Sequence, residues 1–139
     1  MRKLFCFLTF IVSTILVVSC QKDVEETRPE NDPADILYGI WNRTEFGFRS
    51  CAENAQNTTQ FGDGSVGFDP GGFYSTYSIR DGKDRINTVR FEAESDSILF
   101  LATETKWGFM VDENQLVLTT NATNGCVRYF EFSKSQISL

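Results

Sequence analysis

From Asp35 onward the apolar side chains recur at every second residue, a period that strands satisfy and an amphipathic helix does not. Phe73, Ser75, Tyr77 and Ile79 alternate with Tyr74, Thr76 and Ser78, and Val89, Phe91 and Ala93 alternate with Arg90, Glu92 and Glu94. Each run reads as a half-buried strand. Ile98 to Thr103, Trp107 to Val111, Leu116 to Thr120 and Cys126 to Ser133 read likewise, being rich in branched and aromatic residues. Leu37 to Arg49 and Asn57 to Phe68 add two more at the front. Between these runs stand Gly62-Asp63-Gly64, Asp69-Pro70-Gly71-Gly72, Asp81-Gly82, Asp112 to Gln115 and Asn121 to Gly125, whose Gly, Asn and Asp residues supply the positive φ angles of tight hairpins. Roughly eight strands at a spacing of about 8 to 12 residues, with no convincing long helix, predict an all-β domain. The expected architecture is a small antiparallel up-and-down β-barrel, with a β-sandwich as the alternative. About 105 residues are enough for one such domain and not for two.

The front of the chain is of another kind. Arg2 and Lys3 precede an apolar run from Leu4 to Val18, then small Ser19 and Cys20, the layout of a secretory signal peptide. At about 15 residues the run is short of the roughly 20 that span a bilayer as a helix. Val17-Val18-Ser19-Cys20 resembles a bacterial lipobox. The resemblance implies cleavage before Cys20 and acylation of that residue, a stable anchor at ~0.8 kcal/mol per buried methylene; the alternative is an ordinary signal peptide that happens to end in Cys. Residues 1–19 are then a removed leader, 20–35 a lipidated Cys with an acidic tether punctuated by Pro29 and Pro33, and 36–139 the barrel domain. Gln21 to Glu26 resembles the Lys-plus-acidic export signals of surface lipoproteins, with Val24 interrupting the acidic pair. The tether reads equally as a solvated linker. The resulting expectation is a lipoprotein of the outer membrane, in contact with the membrane through its anchor, and exposed on the cell surface if Gln21 to Glu26 acts as an export signal, inward-facing if it does not.

The cysteines follow from that address. Cys6 leaves with the leader and Cys20 carries lipid, which puts Cys51 and Cys126 together in an oxidising compartment where a disulfide is the default and two buried thiols the alternative. Barrel closure favours the same pair. In an eight-stranded up-and-down barrel the first and last strands are antiparallel neighbours, and Cys51 follows the first while Cys126 opens the last.

Several chemistries are disfavoured. The chain has no His, which removes His-based triads, imidazole zinc sites and the usual general base near neutral pH. Without Arg2 and Lys3, 11 basic residues face 19 acidic ones, a net −8 that disfavours nucleic acid as a partner. Glu92 and Glu94 share a strand face opposite the apolar one, and Asp112 and Glu113 lie in a turn, so neither pair has surroundings that would split acid and base roles. No enzyme, metal site or cofactor is expected. Asp63, Asp69, Asp81 and Asp84 are turn residues without the spaced loop of an EF-hand. Asp96-Ser97-Ile98 resembles an acceptor for O-glycosylation of exported bacterial proteins, which makes Ser97 a candidate at a turn. The Asn-x-Thr tripeptides at Asn42, Asn57 and Asn121 carry little weight in a bacterium.

Leu37-Tyr38-Gly39-Ile40-Trp41 resembles the Leu-x-Gly-x-Trp opening of lipocalin-like domains, and the resemblance extends over Cys51, Phe68 to Tyr77, Trp107 and the closing strand from Cys126. It implies a barrel with Leu37, Gly39 and Trp41 at its closed end and a small apolar or amphipathic ligand inside. Gly39 is expected to let the Trp41 ring approach a backbone. Phe46, Phe61, Phe73, Tyr77, Phe91, Phe100, Phe109 and Phe130 are the candidate lining residues. Such a dense aromatic set more often simply fills a core, and a solid barrel would suit an accessory or protein-interaction module of the envelope instead. Lipocalins place an Arg near the chain end over the Trp, and Arg128 is the apparent counterpart. Pairing Cys51 with Cys126 sets Arg128 near Arg49, which predicts no contact between Arg128 and Trp41, Lys134 being the closer of the two.

Overall fold

The computed structural model describes residues 32–123 and 125–137. The leader, Cys20 and the tether as far as residue 31 lie outside the described residues. Among the described residues nine strands form one antiparallel sheet: β1 (Gly39–Arg49), β2 (Thr58–Phe61), β3 (Ser65–Asp69), β4 (Phe73–Ile79), β5 (Lys83–Ala93), β6 (Ser97–Phe100), β7 (Thr105–Asp112), β8 (Gln115–Asn121) and β9 (Val127–Lys134). Pairing of β1 with β9 closes the sheet into a barrel. β3 pairs with Gly39–Asn42 and β2 with Glu45–Phe48, so these two short strands share one stave and the barrel has eight. The strand expected from Asn57 to Phe68 is thus broken at Gly62-Asp63-Gly64, where Gly64 adopts a φ of +104°.

The lower half of the barrel is solid. Trp41, Phe68, Ile98, Leu116 and Phe132 pack with Phe91 and Phe100, and Ala34 and Leu37 close the floor from a 3-10 turn at Asp35–Leu37. Ala34 and Asp35 therefore belong to the folded domain and not to the tether, because the floor needs an apolar cover. The Trp41 indole N–H donates to the Leu37 carbonyl at 2.6 Å. Gly39 has a φ of +123°, a left-handed region that other residues reach at a cost, so its requirement is conformational; a Cβ there would meet only the Lys134 stem at 3.6 Å. Lys134 Nζ lies 5.0 Å from the Trp41 ring centre, while the Arg128 guanidinium sits 5.3 Å from Phe48. The expected exclusion of Arg128 from Trp41 holds. The register differs from expectation by one residue, with Arg128 opposite Phe48.

Two irregularities decide which way side chains point. The β1–β9 register shifts between Arg43 and Glu45, a bulge that keeps Trp41 and Arg43 on the inner face and returns Phe46 and Phe48 to it beyond. A second shift between Thr76 and Tyr77 bends the β4–β5 hairpin. Its tip, a 3-10 turn at Arg80–Gly82, folds onto the outer face of β1. There Asp81 Oδ1 accepts hydrogen bonds from Asn42 Nδ2 at 2.8 Å and from the Ser135 hydroxyl at 2.6 Å, and the Asp81 N–H donates to Asn42 Oδ1 at 2.8 Å.

The Ser135 and Asn42 donors hold the Asp81 carboxyl below the usual aspartate range. A depressed folded pKa stabilises above the unfolded value, and the contribution is lost as pH falls through the folded value. Asp81→Asn should therefore lower the denaturation midpoint at about pH 7, with a deficit that narrows as pH falls through the folded-state pKa of Asp81. A deficit that does not change with pH would show that charge at Asp81 does not matter.

Candidate ligand-binding cavity

Above the solid half the barrel is hollow. A cavity of about 310 Å³ lies among Val66, Tyr74, Thr76, Trp107, Leu118, Phe130 and Phe132, with Arg43 at one side and Ile86 at its edge. Its existence follows from strand length. β6 has only four residues and pairs with β5 only from Phe91 to Ala93, the chain leaving after the Leu101 N–H bond to the Arg90 carbonyl. Above that point β5 runs on without a partner on this side, because β7 begins only at Thr105, opposite Phe100. Trp107, opposite Ile98 on β6, lines the cavity below this opening, and Ile86, on the length of β5 beyond β6 and 69% exposed, brings it to the surface.

Of the eight candidate lining residues, Phe130 and Tyr77 border the cavity, Phe130 from the inner face. Its ring stacks on Trp107 at 5.4 Å and on Phe46 at 6.0 Å. Phe46 borders a neighbouring depression of about 210 Å³ with Phe48 and Arg128. Phe91 and Phe100 are buried packing residues and Phe109 packs against the same core, so these three fill and do not line. Phe61 is 81% exposed on β2, whose residues all face solvent. Phe73 is on the outer face beneath the Arg90 guanidinium at 5.3 Å. Tyr77 borders the cavity, but its ring lies over Gly67, on the opposite side of the sheet from Val66 and Phe68. The face of β4 expected to be internal is thus external. Both of its faces begin with an aromatic residue, and it is Tyr74 that pairs opposite Phe68 and packs at 5.0 Å from it and 4.9 Å from Phe100.

Tyr74 and Arg43 also line the cavity and are not among the candidates named from the sequence. Burial pushes the Tyr74 hydroxyl well above the usual phenol range, with the Arg43 charge acting in the opposite direction, so Tyr74 is a neutral hydroxyl at physiological pH. Arg43 had a signal in the sequence: two residues past an inward Trp41, a strand must point it inward as well.

The remaining candidates are structural. The sulfurs of Cys51 and Cys126 are 2.09 Å apart, at disulfide distance, where β1 ends and β9 begins. Ser97, expected to be accessible, is 5% exposed and its hydroxyl donates to Glu94 Oε2 at 3.1 Å, because it opens β6 inside the turn instead of preceding it. Glu92 and Glu94 are exposed, and Glu94 forms an ion pair with Lys106. Lys106 and then Ser97 depress the Glu94 pKa, the wrong direction for a general acid at neutral pH. Asp112 and Glu113 are exposed at the β7–β8 turn. Asp69 caps its own turn, accepting from the Gly71 and Phe73 N–H groups at 2.8 and 3.2 Å. Among the described residues no group of His, Cys, Asp and Glu is arranged to hold a metal ion. No protein-family model matches the chain, and no curated protein is significantly similar to it.

Proposed function

We propose that the protein is a lipid-anchored outer-membrane lipoprotein, displayed at the cell surface, whose lipocalin-like barrel holds one small apolar or amphipathic molecule. The observation that carries the binding role is the hollow upper half: a cavity with aromatic and aliphatic walls and a few polar groups, reaching the surface above β6. Its volume of about 310 Å³ is at the lower end of the range of small-molecule pockets. The anchor rests on Val17-Val18-Ser19-Cys20, and the tether from Gln21 gives the barrel reach from the membrane.

Protein released from native membranes and examined by native mass spectrometry should carry a single non-covalent small molecule that collisional activation removes. The Cys20→Ser protein should fail to take up an alkynyl fatty-acid label that wild type incorporates. A barrel that emerges empty and takes up no hydrophobic probe would instead favour an accessory module of the envelope.

A further inference from the structure

Arg43 is a cation on the inner face of an apolar barrel. Its guanidinium borders the cavity, its Nε is buried without a hydrogen-bond acceptor, and among the described residues it has no ion pair. Among the described residues no carboxylate lines this cavity; Asp63 borders, with Arg43, a separate depression at the break between β2 and β3. The side chain is nonetheless held in place. Its guanidinium carbon lies 4.8 Å from the Phe46 ring centre, and it passes beneath the glycine break between β2 and β3, where a Cβ on Gly62 would come within 3.0 Å of Nη2. The side chain is half-buried, and a guanidinium partly withdrawn from water without a paired carboxylate is stabilised when a bidentate acceptor arrives. The Tyr74 and Thr76 side chains share the same cavity and add hydroxyls that can donate to an oxyanion.

We infer that the cavity selects a monocarboxylate with a short apolar body, its carboxylate paired with Arg43 and its tail against Trp107, Leu118 and Phe130. Size narrows the class further. A volume of about 310 Å³ has room for roughly ten waters at about 30 Å³ each, and so for a ligand of roughly ten non-hydrogen atoms. A medium-chain fatty acid or a single-ring aromatic acid fits, and a long membrane acyl chain does not. This assignment rests on the ligand-binding reading of the same cavity.

The test is calorimetric titration of residues 21–139, which retain the whole closed barrel, with octanoate, octanol and octylammonium. Octanoate should bind at least about tenfold more tightly than octanol, and octylammonium more weakly than either. Arg43→Gln should remove the octanoate advantage while leaving octanol affinity within about threefold, and Arg43→Lys should retain part of it. Tyr74→Phe, which keeps the ring, should weaken octanoate and spare octanol if Arg43→Gln proves unfolded. Equal affinity for octanoate and octanol, unchanged in either variant, would overturn the carboxylate assignment and leave the binding reading intact. Absence of binding by all three probes would overturn both.

Discussion

Replacing Cys51 and Cys126 together by alanine is expected to lower the unfolding free energy by about 4 kcal/mol, read as a fall in the denaturant midpoint. The bridge joins positions 75 residues apart, and constraining so long a loop removes much of the entropy of the unfolded chain. For a domain of this size about 4 kcal/mol is a large part of the whole stability. The location adds a native-state effect. Arg49 and Val127 form the last β1–β9 pair, and just beyond them the Ala52 N–H donates to the Gly125 carbonyl at 3.3 Å, so the bridge seals the seam that closes the barrel. Amide exchange should accelerate first at this end of β1 and β9 in the double variant, and a reductant should reproduce the effect in wild type. A loss below about 1 kcal/mol would mean that the β1–β9 ladder holds the seam unaided.

Trp41→Ala should cost a comparable amount, about 3–5 kcal/mol, because the ring is wholly buried and the solid floor has no way to collapse around its absence. Three separate interactions end with it: packing against the core, the indole bond to Leu37, and the Lys134 ammonium over the ring. Trp41→Phe separates them by keeping apolar bulk while losing the bond, at an expected cost of about 1–2 kcal/mol. Loss of the indole bond should also loosen the 3-10 turn at Asp35–Leu37, visible as faster exchange at the Leu37 amide, which donates to the Ala34 carbonyl at 2.9 Å. If Trp41→Ala and Trp41→Phe were equally mild, the floor would not depend on this residue.

The staves were largely legible because the period of two is local: β4, β7, β8 and β9 fall within a few residues of where their apolar alternation puts them. Closure was legible too, since the Cys51 and Cys126 positions and the exclusion of Arg128 from Trp41 both follow from antiparallel counting. What alternation cannot carry is phase across a bulge. The shifts at Arg43/Glu45 and Thr76/Tyr77 have no distinctive residue type, and Phe73 and Tyr74 are both aromatic, so the inward face of β4 depends on its partner Phe68 and not on its own sequence. In β5 the alternation is visible only from Val89, yet its pairing with β4 carries the strand back to Lys83. β6 stops at Phe100, short of Thr103, and that small difference opens the wall. The cavity was thus beyond the sequence for a physical reason: it arises from the relative lengths of β5, β6 and β7.

The most direct measurement of whether the upper barrel is a ligand-sized chamber is titration with an uncharged hydrophobic fluorophore in wild type and in Thr76→Trp. Thr76 lines the cavity from the inner face of β4, opposite Val66, and an indole there occupies a substantial part of the space. Wild type should bind one equivalent of the probe with a blue-shifted emission, and Thr76→Trp should bind none while keeping a cooperative unfolding transition. Equal binding by the two proteins, or none by wild type, would contradict a hollow and functional barrel.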